Sequence, residues 1–221
     1  MNYTQLTASI KAYCENDFPQ AVGAGGLTSA EQIARFVQQA EQRIYNSIQF
    51  PALRKNVTGT CTANVQYLAT PVTPDWLATY SLARINADGS YEYLLNKDVN
   101  FIREAFPFPA VSGAPTHYAI FDENTFILGP TPDASYSMEL HYFYYPQSIV
   151  TAGTSWLGDN LDSLLFYGSL LEAAAFMKSE PDTVKNYMER YNEAFMMGKQ
   201  LGEGKDRQDM YRTPQVRYPV K

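Results

Sequence analysis

Hydrophobic residues recur at helical spacing in the first fifty positions. Leu6, Ile10 and Tyr13 are three and four residues apart, as on one face of an amphipathic helix. Thr28 and Glu31 then form a capping-box pattern that predicts the start of a second helix. The hydrophobic positions of that second helix are Ile33, Phe36, Val37, Ala40, Ile44 and Ile48. A proline follows and stops it, so the pattern predicts two helices before residue 54.

The period changes in the middle of the chain. Met138, Leu140 and Tyr142 alternate with more polar residues, which predicts a strand with one well-buried face. Short apolar runs separated by Pro, Gly, Asn and Asp predict several more strands over residues 54–152. Within this region, Asp88-Gly89 and Asp122-Glu123-Asn124 predict hairpin turns. Residues 98–106 predict a short helix.

Helical spacing returns after Asn160. Leu161, Leu164 and Leu171 lie on one seam with Gly168, where a small residue allows a neighbouring helix to approach closely. Residues 179–182 predict a break and a new helix, with Pro181 in its first turn. Two glycines, at 202 and 204, predict the end of this last helix.

These elements predict an α+β protein. Amphipathic helices need one another to bury their apolar faces. We therefore expect residues 1–53 and 153–204 to form a discontinuous four-helix bundle from the N- and C-terminal helix pairs. Residues 54–152 are predicted to be an inserted antiparallel β-rich module, and residues 205–221 an extended C-terminal arm.

The net charge of the chain is −6, which argues against a protein that holds nucleic acid by its overall field. Cys14 and Cys61 show no metal-binding or disulfide-framework spacing. The chain begins with neither a basic region nor an apolar run, and it contains no apolar stretch of membrane-spanning length. We therefore expect synthesis in the cytoplasm without a signal peptide, and no membrane partner.

A search for chemistry predicts no catalytic, cofactor-binding or metal site. His117 and His141 fall in predicted strands without metal-ligand spacing. The turn around Ser155 lacks the spacing of a serine nucleophile and is interpreted as a loop ahead of a helix. Asp159 and Asp162 lie where a helix begins, so capping and the helix dipole account for them.

The tyrosines support an alternative function. Tyrosine is enriched in strands and at interfaces, and its ring also stacks on sugars. A face formed by such residues would indicate a β-rich glycan- or receptor-binding module. The tyrosines proposed for this face are Tyr91, Tyr93, Tyr118, Tyr142 and Tyr144.

Nearly the whole chain resembles one family of virion proteins. The segments that carry the resemblance are Tyr3-Thr4-Gln5-Leu6, Ala40-Glu41-Gln42-Arg43-Ile44-Tyr45, Pro51-Ala52-Leu53-Arg54, Pro74-Asp75-Trp76-Leu77, Tyr93-Leu94-Leu95, Phe126-Ile127-Leu128-Gly129-Pro130, Leu140-His141-Tyr142-Phe143-Tyr144 and the final helix pair. In their order and spacing they resemble the head-to-tail adaptor proteins of short-tailed bacteriophages, the tail tubular protein A group. The resemblance implies a structural virion protein at the head-tail junction, without catalytic residues.

The resemblance also implies partners. They are the portal protein, the tail nozzle protein and further copies of the chain, in a ring of twelve subunits through which DNA passes without specific binding. An acidic channel wall suits that passage because it repels the phosphate backbone.

The residues after Gly204 are predicted to dock onto the portal or a neighbouring subunit, because basic and aromatic side chains alternate there. A DNA-binding arm and a solvated tail are the competing interpretations. The predicted docking residues are Lys205, Arg207, Met210, Tyr211, Arg212, Arg217 and Tyr218.

Overall fold

The computed structural model describes residues 1–20, 25–71 and 76–211, with the backbone alone for 203–211. The described residues form seven α-helices and ten β-strands in two compact units. The helical unit comprises Met1–Pro51 and the chain from Gln147 onward, and the β-rich unit comprises Ala52–Pro146. The predicted α+β class with antiparallel sheets is confirmed.

The helices differ widely in length. Their bounds are α1 (Tyr3–Cys14), α2 (Ser29–Ser47), α3 (Val99–Ala105), α4 (Ile149–Ala152), α5 (Trp156–Asn160), α6 (Asp162–Met177) and α7 (Pro181–Tyr211). A 3-10 turn, Pro51–Leu53, follows α2. The helical unit thus contains two short helices, α4 and α5, beyond the four long ones that the sequence predicts.

Side-chain caps set the starts of the first two helices. The backbone N–H of Glu31 donates to Thr28 Oγ1 at 3.3 Å, and Glu31 Oε2 accepts from the Thr28 N–H at 2.8 Å, which confirms the predicted capping box. Asn2 and Gln5 form an equivalent box at α1 that the sequence analysis did not identify. These caps satisfy N–H groups that have no partner within the helix.

Helix α6 is the centre of the helical unit. It contacts α1, α2, α5 and α7, and it is hydrophobic on most of its circumference, as expected of a fully surrounded helix. At Gly168 a Cβ atom would lie 3.2 Å from Ala40 Cβ and 3.3 Å from the Tyr191 ring. The predicted close approach of helices at Gly168 is therefore confirmed.

The predicted end of the last helix is wrong. Helix α7 continues through Gly202 and Gly204 to Tyr211. Gly202 is buried, and a Cβ there would lie 3.3 Å from the carbonyl oxygen of Gln49. Glycine inside a helix costs only about 1 kcal/mol, so Gly202 serves close packing of α7 against the chain after α2 instead of ending the helix.

The β-rich unit contains two four-stranded sheets and a two-stranded one. The strands are β1 (Arg54–Thr60), β2 (Tyr67–Ala69), β3 (Trp76–Ile85), β4 (Tyr91–Tyr93), β5 (Leu95–Asn96), β6 (Ser112–Gly113), β7 (His117–Asp122), β8 (Thr125–Gly129), β9 (Thr131–Pro132) and β10 (Ser137–Tyr144). Sheet A has the order β1-β10-β3-β4 and sheet B the order β2-β8-β7-β5, while β6 pairs with β9. Pairing is antiparallel except for the short β5–β7 and β6–β9 pairs.

Local signals in this unit are confirmed. Ile85 pairs with Tyr91 across the turn that contains Asp88-Gly89, and Gly89 has the positive φ of +82° that such a turn favours. Asp122 pairs with Thr125 across the second predicted turn. Helix α3 lies within the predicted stretch 98–106.

One core joins the two sheets. Buried residues from sheet A, such as Leu82 and Leu140, pack in one cluster with Tyr118 and Phe126 of sheet B. The opposite face of sheet B carries Ala119 and Ile127, which pack in a separate small cluster with Ile102 of α3. Sheet B is therefore covered on both faces, whereas the outer face of sheet A carries exposed tyrosines.

Candidate interaction surfaces

The residues considered for chemistry have structural roles. His117 lies in β7 beside the rings of Phe101 and Phe106, and His141 lies in β10 beside Tyr80. No group of three or more His, Cys, Asp or Glu residues in the described part of the chain is arranged to hold a metal ion. Burial raises the pKa of Cys14 to about 11, so this thiol is mainly protonated at neutral pH and a poor nucleophile.

Ser155 is a helix cap. Its Oγ accepts the Gly158 N–H at 3.1 Å at the start of α5. The interpretation as a loop ahead of a helix is therefore confirmed up to Ser155 and wrong for residues 156–158, which belong to α5. Asp159 and Asp162 lie in the first turns of α5 and α6, where the helix dipole favours an acid. Asp162 Oδ1 also accepts the Ser163 N–H at 2.7 Å.

A buried carboxylate positions a short helix that the sequence analysis missed. Glu41 of α2 is 4% exposed, and its Oε1 accepts the N–H of Ile149 at the start of α4 at 2.9 Å. Burial raises the pKa of Glu41, and hydrogen bonds from Ser148 and Ile149 act in the opposite direction. Glu41 therefore joins α2 to α4 within the helical unit.

The predicted five-tyrosine face does not exist. Tyr118 and Tyr142 are buried in the core between the sheets, and Tyr144 packs against that core. Tyr91 and Tyr93 are exposed and lie on the outer face of sheet A. The prediction failed because side chains of adjacent strands share a face only when the register aligns them, and the register is a tertiary property.

A third exposed tyrosine of sheet A is Tyr80 of β3, which packs against His141 and Phe143. Tyr80, Tyr91 and Tyr93 are each more than half exposed, and we call them the tyrosine face. The Arg54 guanidinium lies 4.0 Å from the Tyr80 ring centroid, a cation–π contact. The Glu139 carboxylate, through its charge and a hydrogen bond, raises the pKa of Tyr91.

An apolar cleft lies between the edge strands of the two sheets. Its volume is about 170 Å³. The residues that line it come from β1, from β2 and the two residues after it, and from the core between the sheets. They are Val57, Thr58, Gly59, Leu68, Ala69, Thr70, Pro71, Leu82, Phe126, Met138 and Leu140. Strands β1 and β2 are the edges of sheets A and B. We call this feature the edge cleft. The sequence analysis missed it because the cleft depends on which strands lie at the sheet edges.

The helical unit exposes apolar side chains too. Met196, Met197 and Leu201 of α7 are exposed, Met197 by 68%. Phe176 at the end of α6 is also exposed, although its ring packs against Phe18 and Phe36. Exposed methionines are common at surfaces that bind partners, so this side of α7 is a candidate contact surface.

The predicted docking arm is only partly an extended segment. Residues 205–211, which include the predicted Lys205, Arg207, Met210 and Tyr211, belong to helix α7. The expectation of an extended chain from 205 is therefore wrong for these seven residues. Arg212, Arg217 and Tyr218 lie outside the described residues.

Comparison with known families decides the class of protein. The SU10 adaptor protein family matches residues 1–218.

The chain belongs to the SU10 adaptor protein family. The resemblance to phage adaptors is therefore confirmed, and the chain is a structural adaptor protein of a bacteriophage virion. A comparison with curated proteins finds no match. Within the described residues, no helix of the chain has the length and apolar character needed to cross a membrane.

Proposed function

We propose that this adaptor protein is one subunit of a closed ring of twelve copies that connects the portal of a bacteriophage to its tail and forms part of the DNA channel. The observation that carries the proposal is the family match over residues 1–218. The proposed role is structural and involves no catalysis.

Two separate contact surfaces support an adaptor role. The helical unit exposes Met196, Met197 and Leu201, and the β-rich unit exposes the tyrosine face. A subunit that joins two different assemblies needs one surface for each, and further contacts to its own copies. We assign portal and lateral contacts to the helical unit, with its four long helices arranged as a bundle, and tail contacts to the β-rich unit.

The net charge of −6 supports a channel role. An acidic wall repels the DNA backbone, so DNA passes without binding. The segment from Lys205 to Tyr218 is retained as a docking element for the portal or a neighbouring subunit, with its first seven residues helical.

Electron microscopy of the protein mixed with its portal tests the proposal. We expect an added ring that follows the portal's rotational symmetry, and only weak association of the purified protein without the portal, because the portal supplies the template for small lateral contacts. Portal particles without added density at saturating protein would refute it.

Replacement of residues 54–146 by a short Gly-Ser linker tests the division of contacts. We expect this variant to keep portal binding and to lose tail binding. If its helices form by circular dichroism and portal binding is lost, the assignment of the portal contact to the helical unit is wrong.

The tyrosine face supports one alternative function, glycan or receptor binding by the virion. Three exposed tyrosines, of which Tyr80 lies beside Arg54, offer rings on which a sugar can stack. A sugar array tests it. Saturable binding of a sugar that Tyr93→Ser abolishes would favour this function. If no sugar binds, the adaptor function is the one that remains.

A further inference from the structure

We propose that the edge cleft binds residues 215–221 of a second copy of the chain, which add to β1 as an extra strand. The proposal goes beyond the portal ring, because it concerns a contact between copies that is measurable without a portal.

The first argument comes from the backbone of β1. It is the seven-residue edge of sheet A, hydrogen-bonded to β10 and to no other strand in the described part of the chain. An edge strand presents N–H and C=O groups on its outer side that a further strand can pair with. Its residues from Lys55 to Thr60 are all exposed, so the edge is accessible.

The second argument comes from the side chains beside that edge. Below β1 and β2 the floor of the edge cleft is formed by Leu82, Phe126, Met138 and Leu140, which belong to the main core of the unit. An added strand that pairs with β1 would extend sheet A and place every second side chain on its inner face, at the mouth of the cleft. The cleft therefore requires a segment with apolar residues two apart.

Residues 215–221 meet this requirement. Val216, Tyr218 and Val220 are apolar and two apart, while Arg217 and Pro219 alternate with them. Arg217 and Pro219 would face away from the cleft, and proline is tolerated in an edge strand where its missing N–H points outward. Seven residues also match the length of β1.

The position of this segment in the chain sets a geometric condition. Helix α7 is described as far as Tyr211, and the sequence has a proline, a residue that interrupts helices, at position 214. If residues 215–221 pair with β1, residues 212–214 are left as the link, and three residues span at most about 10 Å. The proposed contact therefore requires the end of α7 in one copy to lie within about 10 Å of the end of β1 in the other.

Two full-length variants test the proposal by complementation. Gly59→Leu adds volume at the edge cleft, and its Cβ has space there because no atom lies within 4 Å of a Cβ built at Gly59. The second variant, V216S/Y218S/V220S, keeps the cleft and removes the apolar residues of the segment. We expect each variant alone to self-associate at least about tenfold more weakly than the wild type, since about 1.4 kcal/mol of lost burial suffices.

A one-to-one mixture of the two variants should recover association, because one partner supplies an intact segment and the other an intact cleft. Sedimentation equilibrium measures the self-association of the wild type, of each variant and of the mixture. Thr60→Leu is the matched control, since Thr60 is the next residue of β1 and does not line the cleft, and it should associate like the wild type. Trp76 emission checks that each variant keeps the β-rich unit folded.

Several outcomes would overturn the proposal. Wild-type protein that stays monomeric at every concentration excludes docking on a second copy, and unchanged association of Gly59→Leu excludes the cleft. The proposal is also wrong if the mixture of the two variants does not recover association. It is wrong too if Thr60→Leu associates as weakly as Gly59→Leu. If Gly59→Leu instead loses binding of the tail protein, the cleft receives a strand of that protein. None of these results bears on whether a ring forms on the portal.

Discussion

The helical and β-rich units satisfy their backbone hydrogen bonds in different ways. Each helix pairs its N–H and C=O groups internally, so the helical unit contacts its surroundings through side chains such as Met196, Met197 and Leu201. Each strand needs neighbours, so sheets A and B end in edges at β1, β4, β2 and β5. The helical unit can therefore bind partners through side chains, whereas the β-rich unit can also bind them through the backbone N–H and C=O groups of its edge strands.

Two glycines, one in each unit, differ in how closely they are surrounded. A Cβ at Gly168 of α6 would lie 3.2 Å from Ala40 Cβ. At Gly59 of β1 no atom lies within 4 Å of a built Cβ. We therefore expect the contact at Gly168 to resist added volume and the edge of β1 at Gly59 to accept it.

The largest effect is expected from the two cores. Phe126→Ala should lower the stability of the β-rich unit by about 3–5 kcal/mol, and Leu164→Ala that of the helical unit by about 2–5 kcal/mol, because both side chains are fully buried. Trp76 packs against Phe126, and Trp156 packs against Phe50. Variants that retain only one of these tryptophans therefore report on the unfolding of one unit each in denaturant. Equal shifts of both tryptophan transitions would show that the units unfold together.

A matched pair of glycine substitutions should have the next largest effect. Gly168→Leu overfills the contact of α6 with Ala40 and Tyr191 and should cost about 1–3 kcal/mol. Gly59→Leu should change stability by less than about 0.5 kcal/mol. Thermal unfolding of the two variants measures the contrast, and comparable losses would contradict the difference in filling.

The pH dependence of the helical unit should follow Glu41. Burial raises its pKa in the folded state, so the folded chain binds more protons than the unfolded chain between the two pKa values. This contribution to stability is therefore present below the unfolded pKa and is lost as the pH rises through the folded pKa. Glu41→Gln keeps an oxygen to accept the Ile149 N–H and should remove this dependence.

Urea unfolding is followed by Trp156 emission from about pH 4 to 8. It measures the slope of the free energy of unfolding against pH. Glu189→Gln, at an exposed position on α7, is the control and should retain the wild-type slope. An unchanged slope in Glu41→Gln would mean that other groups control the pH dependence.

The smallest effect is expected at the surface of the helical unit. Arg190 and Glu193 form an ion pair at 3.4 Å, with both side chains more than half exposed. Solvent screening limits such pairs, so Arg190→Ala should cost less than about 0.5 kcal/mol in chemical denaturation. A loss above about 1 kcal/mol would indicate a role for Arg190 beyond this pair.

Much of the secondary structure was predictable because its signals are local. Period-3.6 hydrophobic spacing predicted the four long helices, Thr28 and Glu31 predicted a cap, and Asp88-Gly89 predicted a hairpin. The short helix α4 was missed because its start depends on Glu41, more than a hundred residues earlier in the chain.

The surfaces were not predictable in the same way. Gly202 carries the sequence signal of a helix end, but its closeness to Gln49 is a tertiary contact that lets α7 continue. The tyrosines were divided between core and surface by strand register.

The amino-acid sequence by itself determined the α+β class, most helices and the turns, because each of these depends on neighbours within a few residues. The resemblance carried by the sequence also determined the adaptor family. Only the tertiary structure decided where the sheet edges lie, because β1 pairs with β10 from about eighty residues later in the chain. The edge cleft follows from that pairing, and the tyrosine face follows from the pairing of β3 with β4.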